Sequence, residues 1–460
     1  MKYFTICKNL NIKNIVKKEI CLKLESYLFF IFIFSIPFQT RVFLAEWGAP
    51  KDEFYSSFFY FTDALILMLF AFWSFRVVFL KSAGGFVSFF KGLFLERQNK
   101  VLFLFLFFIF ISVFRSDSYS FGFYHFLKFI EFSFIFLYLK ENIKWLGLKK
   151  TLAVFVFAGL MQSFLAIFQF IAQSSLGLKY FGETLLSPLL DGVAKIDTVD
   201  GKVMRPYGTF THPNVLAAFL FLSLSFFYYL IISKARKLDI KNMYIYLVLL
   251  AALFFTFSRS VWIVFALFSF ILFIKLSKNK DIKKMFFTAI AVFFLLGFLF
   301  SNLLFARVYV SNSDAGVNFR NIYENTAFGF LQEYPVLGVG VGNFVNTFKK
   351  SGIFGDNLWA YQPVHNFYLL AASEVGLFGF LAFLLFLTLL LKSIKNSLRD
   401  ENFKILFLGI SFSIFLLFLT DHYFWDLQQG ALMLWFFLGL AAGAAKTKFE
   451  RYESNLEIKT

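Results

Sequence analysis

The stretch MYIYLVLLAALFFTFSRSVWIVFALFSFILFIK, Met243–Lys275, decides the fold. Read straight through, it is one apolar run that overshoots a bilayer, because a spanning helix needs only about 20 residues. With Ser258-Arg259-Ser260 as a turn, it becomes two shorter spans, 243–258 and 260–275. Each span reverses the chain, so this choice sets which side every later connection faces. The cluster of basic residues at Lys275–Lys284 chooses. Two spans return it to the side of the basic N-terminal segment. One span would place it outside, against the tendency of Lys and Arg to remain in the cytoplasm.

Outward from this hairpin, ten further apolar runs reach spanning character: 27–44, 57–80, 101–114, 121–139, 151–173, 214–233, 285–305, 366–391, 403–419 and 429–445. With the N-terminus in the cytoplasm, the inner segments 1–26, 81–100, 140–150, 234–242, 275–284, 392–404 and 446–460 hold 31 of the 45 Lys and Arg. The outer segments hold 12, and Arg76 and Lys128 fall within spans. Charge alternates at every connection, which predicts twelve spans with both ends inside. The net charge of +17 thus sets orientation and faces anionic lipid, and nucleic acid is not expected as a partner.

Composition agrees. Apolar residues make up 59% of the chain and charged residues 16%, and Phe occurs 77 times. Water-soluble domains carry about a quarter charged residues. Cys7 and Cys21 both lie in the basic N-terminal segment, so no disulfide framework or cysteine metal site is readable. That segment precedes an apolar run with no small-residue cleavage pattern, so the first helix is expected to be retained. The expected fold is an all-α polytopic membrane protein of about twelve transmembrane helices. It divides into 1–305 (spans one to nine, with an outside loop at 174–213), a large outside loop at 306–365, and 366–460 (three spans and a cytoplasmic tail).

The large loop contains Gly338-Val339-Gly340-Val341-Gly342, which matches a dinucleotide fingerprint in outline. No strand–helix–strand context surrounds it, so a turn beside a helix start is expected instead. Helical apolar spacing runs from Phe319 to Tyr334. Phe344, Phe348 and Trp359 are expected to dock on the membrane surface.

Three basic residues fall on the outside in this topology. Arg205 lies in Arg205-Pro206-Tyr207-Gly208-Thr209-Phe210-Thr211-His212-Pro213-Asn214, Arg259 tips the hairpin, and His365 precedes a span. Arginine grips phosphate with planar, permanently charged donors. Two of them at the lipid–water boundary suit a diphosphate on a lipid carrier. A histidine neutral near pH 7 can take a proton from an acceptor hydroxyl. Together these describe glycosyl or phosphoryl transfer from a lipid-linked donor. No paired-carboxylate metal motif stands near them, so a metal-independent route without cofactor is expected. Taken singly, an interfacial Arg anchors a helix and a lone His caps one; the case rests on all three sharing a side. Further candidates for substrate contact are Arg320, four residues before Glu324; His212, beside Pro213; Asn366; and Glu374, inside an apolar run. His125, Lys128 and Glu131 share a face of the fourth span, where Lys128 and Glu131 are expected to neutralise each other. Asp421, His422 and Asp426 lie in the last outside turn; two carboxylates and a His can bind metal, but the spacing matches no strong motif, so they read as surface residues.

His365-Asn366, nine residues, then Gly376-Leu377-Phe378-Gly379 resembles the H-[N/S/Q]-x9-G-x-x-[G/T/Y] signature of bacterial O-antigen ligases. Arg205 through Asn214 resembles that family's R-x-x-G-T-F-x-x-P-N stretch, and Ser258-Arg259-Ser260 its S-R-[S/T/G] hairpin. The resemblance covers about Arg205 to Gly379. It implies a C-type membrane glycosyltransferase of the bacterial inner membrane with its active site and large loop in the periplasm. That enzyme would transfer O-antigen glycan from undecaprenyl diphosphate to lipid A-core, with inversion. It also implies diphosphate binding at Arg205 and Arg259 and His365 as catalytic base. O-antigen polymerases and protein O-oligosaccharyltransferases of the same superfamily share these loops and remain alternatives. A transporter of lipid-linked glycan is the alternative of another class; it would place polar groups near mid-bilayer in related halves.

Overall fold

The computed structural model describes residues 2–46, 53–79, 92–308, 315–398 and 400–457. The loop residues 81–91, Arg399 and the last three residues of the expected inside segments lie outside these. Helices dominate, and eight of those described are long and apolar enough to cross a membrane. The segment that decided the topology forms two helices, Ile240–Phe255 and Arg259–Lys275. The Trp262 ring stacks on Phe254 at 5.1 Å and its Nε1 donates to the Leu253 carbonyl at 2.9 Å, so the second helix starts folded back on the end of the first.

Two helices form the interior. Pro213–Ile232 and the stretch Gln428–Lys446 are buried along their whole apolar windows. Helices apolar on every face belong inside a large bundle, away from water and lipid. By contrast Lys280–Leu299 is 17% buried, and Phe294 and Phe298 face outward from it as lipid-facing residues would. Gln428–Glu457 packs along Tyr119–Leu146. Gly439 and Gly443, four residues apart, make that approach possible. A Cβ on Gly439 would lie 3.0 Å from the Phe136 backbone, and one on Gly443 would lie 2.8 Å from the Leu139 carbonyl. In lipid, small residues spaced in this way let helix backbones meet closely. Gly439→Leu is therefore expected to cost about 1–3 kcal/mol by overpacking, read as a lower thermal midpoint in detergent.

The two basic residues that fall within the expected spans, Arg76 and Lys128, are both paired. Lys128 bonds Asp63 of the helix Phe61–Phe79, and Glu131 lies farther, at 3.4 Å. Asp63 also accepts from Gln428 Nε2 at 2.7 Å. The expected Lys128–Glu131 pair is thus secondary to an interhelical one, because Asp63 reaches Lys128 from a facing helix. Arg76 forms a two-point pair with Glu25 at 2.7 and 2.9 Å.

Three expectations need correction. The run 27–44 is not helical throughout: the first helix ends at Ser35, and Arg41–Glu46 is a strand. Pro37 stops the helix, since proline disfavours helical backbone at the residue before it and has no N–H to donate. The run 57–80 likewise opens as a strand, Ser56–Tyr60, paired antiparallel with the first. Phe344 and Phe348 do not face the membrane surface. Each is 1% exposed, and Phe348 packs edge-on to Tyr323, Phe354 and Tyr361, building a small core inside the large loop. Trp359 is exposed. The helical spacing from Phe319 becomes the helix Ala315–Glu333.

Candidate functional site

The stretch after Arg205 is a built turn. Gly208 has φ +60, in the left-handed region, and a Cβ there would press on Gln162 Oε1 at 2.5 Å. Two glutamines buried in Leu148–Ala172 hold the turn. Gln169 Oε1 accepts from the N–H groups of Tyr207 and Gly208, and Gln162 Oε1 from that of Thr209. Thr209 Oγ1 donates to the Pro37 carbonyl at 2.7 Å. The chain then enters Pro213–Ile232, with His212 at the cap and Pro213 at the first helical position, where its missing N–H costs nothing. This fixes Arg205, only 3% exposed, with Nε donating to the Thr256 carbonyl at 2.7 Å and Nη2 to Asn214 Oδ1 at 2.8 Å.

His365 sits just before the helix Phe367–Ser397, which Asn366 caps by accepting from the Leu369 N–H at 3.1 Å. Within that helix Gly376 breaks the spiral at φ +69. The break frees the carbonyls of Ser373 and Glu374, which accept from the N–H groups of Val339 and Gly340. The alternating glycines therefore form a docking turn before the short helix Phe344–Lys349, as their context predicted. Gly338 lies against the Glu374 backbone, Gly340 against Ser116 and Gly342 against the His125 ring, with no room for a Cβ at any of them. Glu374 binds this junction together. Its carboxylate accepts from Gly342 N at 2.9 Å, Phe344 N at 3.3 Å and Trp425 Nε1 at 2.8 Å. Glu374→Gln supplies one oxygen where two are engaged, so one buried donor loses its partner. The expected cost is about 1–3 kcal/mol, checked as a drop in thermal midpoint.

Asp421 and His422 are not surface residues. They are 7% and 5% exposed, and they complete a polar chain across the bundle. Asn214 Nδ2 donates to Asp421 Oδ2 at 2.9 Å, and Asp421 Oδ1 lies 3.4 Å from His365 Nδ1. Arg205, Asn214, Asp421 and His365 are thus linked end to end. Behind them His422 Nδ1 meets the Asp426 carboxylate at 2.8 Å. Burial disfavours the Asp421 carboxylate, but the hydrogen bond to His365 and the nearby imidazoles outweigh it and hold its pKa well below the usual range.

These groups line a cavity of about 460 Å³ whose wall includes Arg205, Arg307, Arg320, His212, His365 and Asp421. Four residues singled out from the sequence meet there: Arg205, His212, Arg320 and His365. Arg259 is off the lining, although its charge is felt at Arg205. Asn366 and Glu374 are also off it, engaged as described. Burial, and next the charge of Arg307, push the Arg205 pKa down to about 9, so the cation stands in surroundings that an entering anion would improve. Burial and the Arg205 charge push the His212 pKa down to about 3, which leaves it neutral at pH 7; its Nδ1 accepts from the Asn214 N–H.

Sequence reasoning did not find Arg307, and it set Asp421 and His422 aside as surface residues. Asp-His followed after three residues by Asp, in a short turn between two apolar runs, was the available signal. Residues 244–384 match the family model described as O-antigen ligase. No curated protein matches the chain.

Proposed function

We propose that this chain, whose residues 244–384 match the family model described as O-antigen ligase, transfers O-antigen glycan from undecaprenyl diphosphate to lipid A-core at the periplasmic face of the inner membrane. Twelve spans with both termini in the cytoplasm put the cavity on that side. The observation that carries the reading is the linked set Arg205–Asn214–Asp421–His365 on one cavity wall.

Asp421 faces His365 Nδ1 and favours a proton there, which leaves the Nε2 lone pair free for the acceptor hydroxyl. The acceptor oxygen attacks the anomeric carbon as its proton passes to Nε2. The bond from that carbon to the diphosphate oxygen breaks, and the electron pair leaves with the diphosphate. Attack opposite the leaving group inverts the anomeric centre. Arg205 and Arg320 meet the charge that builds on the diphosphate, and Arg259 adds positive potential from behind. Neither step draws on a metal.

Purified protein in vesicles, given undecaprenyl diphosphate glycan and lipid A-core without ATP, is expected to form the joined product. Longer lipid-linked chains made without lipid A-core would assign polymerase chemistry instead. Glycan moved across the bilayer with no new glycosidic bond would assign transport.

A further inference from the structure

His365, Asp421 and His422 each offer one ligand atom, and these atoms lie within 4.8 Å of one another. Asp421 Oδ1 is 3.4 Å from His365 Nδ1 and 3.8 Å from His422 Nε2. Both distances exceed a good hydrogen bond. They approach the separation of about 3.3 Å between two ligands on a tetrahedral ion bound at about 2.0–2.1 Å.

The surroundings are those of a metal ligand set. Asp426 meets His422 Nδ1 at 2.8 Å, which places the proton on that nitrogen and turns the Nε2 lone pair toward Asp421. A carboxylate behind a ligating imidazole in this way orients it and raises its basicity. Asn214 holds the other Asp421 oxygen, fixing the carboxylate plane. All three residues line the cavity, so a water or phosphate oxygen from it can complete a four-ligand shell. Two imidazoles and one carboxylate select Zn²⁺ or a similar transition metal over Mg²⁺ or Ca²⁺, which require oxygen ligands.

We propose that His365, Asp421 and His422 form a binding site for a Zn²⁺-class ion, and that the ion switches off transfer. The inhibitory half rests on the role of His365 as base. An ion on Nδ1 leaves the imidazole proton on Nε2, the atom that must accept the proton of the acceptor hydroxyl. Metal-independent chemistry and metal inhibition then follow from one histidine.

The test uses the full chain, stripped of metal in detergent, with Zn²⁺ alone titrated against a chromophoric chelator. Co²⁺ is substituted in parallel to read nitrogen ligation from its visible absorption bands. One tight ion per chain is expected. His422→Gln should abolish it, and Asp426→Asn, which keeps the fold if the glutamine variant does not, should weaken it about 10–100-fold. No tight ion in the unaltered chain, or equal binding by both variants, overturns the site. In the transfer assay Zn²⁺ should suppress product and a chelator restore it. Tight binding without suppression would retain the site and remove His365 from the base role. Loss of activity on chelation alone would overturn the inhibitory half.

Discussion

His365→Ala is expected to lower the transfer rate about 10²–10⁴-fold, the usual contribution of a positioned general base, with the fold intact. The imidazole is partly exposed to the cavity, and its polar contact is with Asp421. After its removal Asp421 still accepts from Asn214 Nδ2 and from the His422 N–H at 2.9 Å, so no buried group loses its last partner. The loss should therefore appear in rate and not in thermal midpoint. Single-turnover transfer measured beside a melting curve separates the two. A variant that transfers at the rate of the unaltered chain would remove His365 from the chemistry.

Arg205→Lys is expected to lower the rate about 10²–10³-fold, the range for deleting one donor that serves a developing anion. Charge is conserved in this change, so the planar fork is what is tested. Arg205 uses Nε toward Thr256 and Nη2 toward Asn214 at the same time, which aims its remaining donors. A single ammonium cannot hold both acceptors and present a flat face to phosphate. The effect should fall on the maximal rate more than on donor affinity, because charge accumulates on the diphosphate as it departs. Arg320 is exposed on the same wall, and Arg320→Lys should cost much less. Equal losses in the two variants would mean that the cavity needs only its summed charge.

What the sequence disclosed and what it concealed divide along physical lines. Local signals were legible. The Met243–Lys275 hairpin could be resolved because a one-residue Arg at its tip coincides with a charge cluster after it. The nine residues between Asn366 and Gly376 measure the distance from a helix cap to a helix break, and both lie where the spacing implies. Arg205, Pro206 and Gly208 mark a turn before a helix, although the glutamines that clamp it, Gln162 and Gln169, gave no local sign within an apolar span.

Long-range partnerships were not legible. Asp421 follows His365 by 56 residues, and only the return of a helix pair brings them together. Asp63 reaches Lys128 in the same way across 65 residues, outranking Glu131 three residues away. The strands Arg41–Glu46 and Ser56–Tyr60 were hidden inside apolar runs, because hydrophobicity alone does not distinguish a buried strand from the end of a span. Phe344 and Phe348 read as membrane anchors, since an aromatic residue suits either a bilayer surface or a small folded loop. The close approach at Gly439 and Gly443 needed the facing helix to be recognised.

The central claim is that one cavity holds the carrier diphosphate against Arg205 while His365 faces the reacting carbon. A cryo-electron microscopy map of the chain with undecaprenyl diphosphate tests it most directly. The account predicts density for both phosphates between Arg205 and Arg320, within reach of His365. A headgroup resolved at the opposite end of the bundle, or outside the cavity with Arg205 still bound only to Thr256 and Asn214, would contradict it.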